Sequence, residues 1–259
     1  MTDAELYSGS LIHLLEKIWG EGFLSPGGPD EVARLVGQHD FTGRTVLDIG
    51  CGAGGIDIAL ARAHGAGYVT GIDVEDGVIA RARELVRAAG LDDRIGLVKV
   101  APGPLPFPPG TFEIVFSKDS IVHIPDKHAM AAEVFRVLKP GGWFVASDWL
   151  IGHDGAPSPQ MADYITSEGL DFGMASPARY RGALEAAGFT DIRIESRNAW
   201  YREEARRELE RMRGPWRKGA EAELGADFVA HNIEIWERMV PVLESGEHCP
   251  THLHARKPA

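Results

Sequence analysis

At 259 residues, 44% of them hydrophobic and 25% charged, the chain has room for one sizeable α/β core with an elaboration. Its composition excludes a disordered chain, a coiled coil or a collagenous repeat. Lys and Arg number 27 against 38 Asp and Glu, a formal charge of −11 whose field repels nucleic-acid backbones and anionic membrane surfaces. Two cysteines, Cys51 and Cys249, are too few for a disulfide framework or a zinc cluster and fit a reducing compartment. The acidic start Met1-Thr2-Asp3-Ala4-Glu5 lacks the order of a signal peptide, and no apolar run reaches the roughly 18 residues of a membrane span. The expectation is a soluble, cytoplasmic protein with no nucleic-acid and no membrane partner, its oligomeric state left open.

In chain order, Leu11, Leu14, Leu15, Ile18 and Trp19 form an amphipathic stripe that ends at Gly20, and the loop Ser25-Pro26-Gly27-Gly28 follows. From residue 45, β-branched runs alternate with helical periodicity. Strands are expected at Thr45–Ile49, Tyr68–Ile72, Ile95–Lys99, Phe112–Ser117 and Trp143–Trp149, with helices over 54–64, 75–89 and 126–138. This order predicts a doubly wound, mostly parallel sheet with ligands at the strand C-terminal ends. Beyond it, 151–172 is punctuated by Gly and Pro and then helical, 176–187 is a helix, Asp191–Arg197 a strand, 202–243 charged and helical, and His252–Arg256 a closing strand. Three parts are expected: residues 1–28 as a helix and cover, 29–150 as a cofactor-binding core, and 151–259 as lid helices with the strands that complete the sheet.

Val46-Leu47-Asp48-Ile49-Gly50-Cys51-Gly52-Ala53-Gly54-Gly55 is a buried strand running into a glycine turn and a helix. Glycines there permit positive φ and let a ligand touch the backbone. The second strand ends at Asp73, whose carboxylate can accept from both ribose hydroxyls of an adenosine moiety, so a nucleoside-type cofactor is implied. Gly50, Gly52 and Gly55 also satisfy the G-x-G-x-x-G spacing of dinucleotide folds. Asp48 discriminates: an acid two positions before the first glycine would repel a diphosphate but suits a cationic methionine moiety. Charge therefore favours S-adenosyl-L-methionine over NAD.

These residues, with Gly71-Ile72-Asp73, Leu105-Pro106-Phe107, Phe112-Glu113-Ile114-Val115 and Leu138-Lys139-Pro140-Gly141-Gly142, resemble the class I S-adenosylmethionine-dependent methyltransferases over residues 45–149. The resemblance implies a seven-stranded Rossmann-like fold. A nearer likeness is to the phosphoethanolamine N-methyltransferase family, carried by Tyr7, by Ile18-Trp19-Gly20-Glu21-Gly22-Phe23-Leu24-Ser25-Pro26-Gly27-Gly28 and by Ser117-Lys118-Asp119-Ser120-Ile121-Val122-His123. It implies a cover over the methionine end of the cofactor, a catalytic pair at Tyr7 and His123, and a helical lid over the acceptor. Leu24, Ser25, Gly50, Gly52, Asp73, Val74, Ala101 and Lys118 are the implied cofactor contacts, alongside Asp48. Two departures stand out. Val100-Ala101-Pro102-Gly103-Pro104 lacks the Asp that many relatives offer to the adenine amine, and the family's phosphate-holding Arg falls at about Glu168, a carboxylate that cannot hold a phosphate.

Methyl transfer from a sulfonium is an in-line displacement in which positioning carries most of the rate. An alkylammonium has no lone pair, so a base must take its proton, and an imidazole titrates near neutrality. His123 is the candidate base, although a structural histidine beside the cofactor would explain it equally. Tyr7 closes the pocket and aligns His123, or caps a helix on the core. Asp119 accepts from the acceptor amine or from Tyr7, or caps the following turn; Lys118 is a cofactor contact or merely solvated. Trp19, Trp149, Tyr164, Phe172 and Tyr201 lie in or beside segments expected to border the pocket, most of them as core; the two or three that face the acceptor would, with Glu168, suit a cationic or hydroxylated amine, unless Glu168 is a solvated lid residue. No metal is expected. The primary expectation is methylation of a small molecule at an amine nitrogen. The alternatives are O- or C-methylation of a natural-product intermediate, a binding module without turnover, and a nicotinamide-dependent oxidoreductase.

Overall fold

The computed structural model of the protein describes residues 7–170 and 172–259. Its elements are α1 (Gly9–Trp19), α2 (Gly28–Val36), β1 (Thr45–Ile49), α3 (Gly55–Arg62), β2 (Tyr68–Asp73), α4 (Asp76–Ala88), β3 (Ile95–Lys99) and β4 (Phe112–Lys118). A 3₁₀ turn (Ile121–His123) leads to α5 (Lys127–Val137), β5 (Leu138–Ile151), α6 (Pro159–Glu168), α7 (Pro177–Ala187) and β6 (Thr190–Ser196). The chain closes with α8 (Asn198–Arg213), α9 (Trp216–Leu224), α10 (Ala226–Glu244) and β7 (His248–Arg256).

The strands form one seven-stranded sheet in the order β3-β2-β1-β4-β5-β7-β6, parallel up to β5, with β7 antiparallel to both of its neighbours. The period-2 alternation of strand side chains decides which core each residue joins. Leu47, Ile49, Val115 and Phe144 pack on α5 and α7, whereas Val46, Ile114, Phe116 and Val145 pack on α2 and α3. A third core caps the ends of the strands, where Leu14, Leu15 and Ile18 of α1 meet Trp149 of β5 and apolar residues of α6, α8 and α10. Strand order reverses between β1 and β4, so the crevice at their C-terminal ends opens beneath this cap.

The expected strands and core helices are present, with differences that have physical reasons. Helix α2 was not expected. It is only nine residues long, but Pro29 at its start, Asp30 and Glu31 in the first turn and Val32, Leu35 and Val36 on one face favour it. The span 202–243 is three helices, broken at Gly214-Pro215 and at Gly225. Leu138-Lys139-Pro140-Gly141-Gly142 lies within β5 as an irregularity: the pairing to β4 shifts between Phe112 and Ile114. Strand β7 starts at His248, four residues before the expected closing strand, because β5 runs on to Ile151 and pairs with it.

Candidate active site

The glycine turn after β1 curls over the end of β2. Asp73 Oδ2 accepts from Gly52 N at 3.1 Å and Oδ1 from Glu75 N at 3.1 Å. Burial raises the Asp73 pKa, and these backbone N–H groups oppose the rise. Gly50 has φ +74, and a Cβ there would lie 1.6 Å from Ser120 Oγ, so the turn and the β4 loop can approach only around a glycine. Together they wall a cavity of about 560 Å³. Leu24, Ser25, Gly50, Gly52, Asp73, Val74, Ala101 and Lys118 all line it. The wall from Val100 to Pro106 carries no carboxylate of its own; Asp126 and Glu133 border the same cavity.

Gly55 meets the N-terminal segment directly. Its N–H donates to Gly22 O at 3.0 Å, and a Cβ on it would lie 2.6 Å from that carbonyl oxygen. The third glycine of the G-x-G-x-x-G pattern therefore serves close packing, here of the N-terminal segment against the start of α3. Glu16 reinforces the cover by accepting from Gly22 N at 2.8 Å and from Arg81 of α4 at 3.1 and 3.0 Å. The residues present fit S-adenosylmethionine: a strand-terminal carboxylate, a glycine cradle and an apolar slot after β3, within the volume usual for such a ligand.

Asp48 requires a correction. It is fully buried and does not line the cavity. In β1 it alternates with the cavity-lining Ile49, so its carboxyl points to the α3 face, where Asp57 is buried too. Two buried carboxyl groups that interact cannot both ionise; burial raises both, Asp57 well above the carboxylate range and Asp48 to about 7. Direct contact between Asp48 and a cationic tail is excluded by this placement.

A second cavity of about 180 Å³ adjoins the first, and Tyr7, Leu24, Ser25, Asp119 and His123 line both. Asp119 follows β4 with φ +57, a conformation unusual for a non-glycine residue. Its Oδ1 accepts from Ser147 Oγ at 2.7 Å, and its Oδ2 from Lys118 Nζ at 2.7 Å. Lys118 is buried and also reaches Ser25 Oγ at 2.7 Å and Pro26 O at 2.9 Å, so it clamps the cover loop instead of meeting solvent. The turn bearing His123 is held from below. Val122 N donates to Asp148 Oδ1 at 2.9 Å, Tyr180 donates to the other oxygen, and Lys127 Nζ donates to Ile121 O and Ile124 O at 2.7 and 2.6 Å. Burial drives the Tyr7 pKa far up, with Asp73, Glu168 and Asp119 adding to it, so its hydroxyl keeps its proton at neutral pH.

Trp19, Trp149, Glu168 and Phe172 line the second cavity as expected, but Tyr164 does not: it is fully buried in the cap, its ring 5.5 Å from His248. Tyr201 is likewise a core residue. Their helices turn these rings inward, away from the lid face. Burial pushes Glu168 up to about 7, with the Tyr164 hydroxyl pulling the other way. Sequence reasoning missed the wall supplied by α10, namely Phe228, His231, Asn232, Ile235, Trp236 and Met239. The signal was a polar Asn232 on the apolar face of a charged helix. Among the described residues no Lys or Arg lines this cavity, and no cluster suits a metal ion.

Residues 46–142 match the model of a methyltransferase domain family. Phosphoethanolamine N-methyltransferase 1 of Arabidopsis thaliana is 34% identical over 207 residues, which are 80% of this chain and 41% of that protein. The glycine/sarcosine/dimethylglycine N-methyltransferase of Actinopolyspora halophila is 33% identical over 165 residues, 63% of this chain and 29% of that protein. The chain thus spans less than half the length of these curated relatives. Among solved structures, Haemonchus contortus phosphoethanolamine N-methyltransferase 2, in complex with phosphomonomethylethanolamine and S-adenosylhomocysteine, superposes with a TM-score of 0.88 at 26% identity, over 97% of this chain and 59% of that one. Residues 46–142 thus carry the likeness to a methyltransferase domain, and the whole chain has the seven-stranded Rossmann-like fold of the solved phosphoethanolamine N-methyltransferase it resembles.

Proposed function

We propose that the chain methylates the nitrogen of a small amine that carries no phosphate. The carrying observation is the second cavity: about 180 Å³, walled by aromatic rings, bordered by Asp119 and Glu168, and lined by no Lys or Arg among the described residues. A phosphate dianion there would be desolvated without a cationic partner, a cost of several kcal/mol. An amine or alkylammonium suits the same walls. Both named relatives are named for N-methylation of an amine, and the one from Actinopolyspora halophila is named for amines without a phosphate.

When bound, S-adenosylmethionine supplies an electrophilic methyl group on a sulfonium. The chain's own residues do the rest. His123 takes the proton of the incoming ammonium and so exposes the nitrogen lone pair. Tyr7, protonated, closes the junction of the two cavities and keeps water out. Asp119, fixed by Ser147 and Lys118, orients the amine N–H groups. Asp73 and the glycine cradle hold the nucleoside end.

Radiolabelled methyl transfer to a panel tests this reading. Ethanolamine, its methylated forms, glycine and dimethylglycine represent free amines; phosphoethanolamine, a catechol and a phenol represent the competing classes. Label in a free amine, at higher kcat/KM than in phosphoethanolamine, is the expected result. A preference for phosphoethanolamine or for an oxygen acceptor refutes the proposal.

A further inference from the structure

The two tryptophans of the acceptor cavity share a partner that lies outside it. Trp19 of α1 donates its Nε1–H to Glu208 Oε1 at 2.6 Å, and Trp236 of α10 donates to Glu208 Oε2 at 2.9 Å. Glu208 belongs to α8, is 6% exposed and lines neither cavity. The ring centroids are 5.9 Å apart with planes inclined at 39°. An indole has one hydrogen-bond donor. With both donors turned to the carboxylate, only carbon surface is left for the cavity.

This arrangement lacks a countercharge. A buried carboxylate is normally paired with Lys, Arg or a metal, because desolvating it alone costs several kcal/mol. Among the described residues the hydrogen-bond partners of Glu208 are the two neutral indoles, and it makes no ion pair. An amide oxygen would accept from an indole without burying a charge. A carboxylate behind two indoles has a second effect: accepting from both N–H groups raises the electron density of the rings, and its charge adds to their attraction for a cation on the cavity side. Asp119, paired with Lys118, and Glu168 line the same chamber.

We propose that Glu208 is a positioning and specificity-determining residue: it fixes Trp19 and Trp236 as walls of the acceptor cavity and makes that cavity select an alkylammonium over a neutral molecule of the same shape. The inference rests on the amine reading above and names the charge state of the group the cavity holds.

Calorimetry at pH 8.5 on the full chain saturated with S-adenosylhomocysteine tests it, with choline as the cationic probe. Its neutral isostere, the alcohol with a tert-butyl group in place of trimethylammonium, is the control. The wild type is expected to prefer choline, and Glu208→Gln is expected to lose choline affinity by roughly five- to thirtyfold while binding the isostere within about twofold. Glu208→Asp, which keeps the charge, should recover part of the loss. Equal loss for both probes would reveal a merely structural role and overturn the proposal, as would unchanged choline binding in Glu208→Gln. Should Glu208→Gln fail to fold, Trp236→Phe, which deletes one donor and keeps a ring, must weaken choline more than the isostere; equal weakening overturns the proposal, and so does a wild type that binds the two probes alike. Amine methylation that persists with an inert Glu208 would sink this inference alone, whereas an absence of amine methylation sinks the functional reading first.

Discussion

Replacing Asp73 by Ala separates cofactor binding from chemistry. A carboxylate offers about four lone-pair positions. Gly52 N and Glu75 N occupy two of them, which leaves one on each oxygen for a pair of ribose hydroxyls. Each hydrogen bond to a charged group contributes about 1.5–3 kcal/mol net. Water entering the slot left by Ala recovers part of this, so a loss of about 2–4 kcal/mol is expected, or roughly 30- to 1000-fold in affinity. Calorimetry with S-adenosylhomocysteine reads it, and a melting curve without ligand controls for the two backbone N–H groups that lose their acceptor. Asp73→Asn, with one oxygen left, should fall between. Binding of S-adenosylhomocysteine to Asp73→Ala within about threefold of wild type, in a protein that melts normally, would refute the placement of the ribose at this strand end.

His123→Ala should act oppositely, lowering kcat by about 10²–10⁴ while S-adenosylhomocysteine affinity stays within a few-fold; equal losses in both would contradict its role as base. Gly55→Ala puts a methyl against the Gly22 carbonyl at 2.6 Å and should cost about 1–3 kcal/mol of stability and weaken cofactor binding. Gly219→Ala, on a helix with open space around the new Cβ, is the control and should be neutral or stabilising in urea unfolding. Glu208 supplies a pH test. Burial lifts it from an ordinary 4.5 to about 7, the Trp236 and Trp19 hydrogen bonds and Lys118 opposing and Glu204 adding. Between these values the folded protein holds a proton that the unfolded chain has released. Wild-type stability should therefore fall relative to Glu208→Gln by about 1–3 kcal/mol as pH rises from 4.5 to 7, then stay level. Urea midpoints at pH 5 and pH 8 measure it, and a pH-independent gap counts against the assignment.

Local signals read well wherever one residue decides a backbone conformation. The strand, glycine turn and Asp73 follow from alternation and from positive φ at Gly50, and the cover loop follows from the run Gly20–Gly28, whose Gly22 meets Gly55. Asp48 was misplaced because its charge was weighed before its pleat: Ile49 owns the cavity face, so its neighbour cannot. Tyr164 was misplaced because helical periodicity finds an apolar face without saying whether that face meets a cavity or another helix. The α10 wall and Glu208 were invisible for a different reason. Glu208 sits 189 residues from Trp19 in sequence, in a charged run that reads as a solvated face, and only the crossing of α1, α8 and α10 makes it the acceptor for two indoles.

In the proposed reaction the donor and acceptor chambers meet between Tyr7 and His123, which line both cavities. A crystal structure of the protein with S-adenosylhomocysteine and a methylated amine tests it most directly. The account predicts the thioether sulfur over the glycine cradle, the amine nitrogen between Tyr7 and His123 on the line through that sulfur, and the alkyl groups against Trp19 and Trp236. An amine bound elsewhere, or a nitrogen turned away from the sulfur with the tryptophan chamber filled by protein, would contradict it.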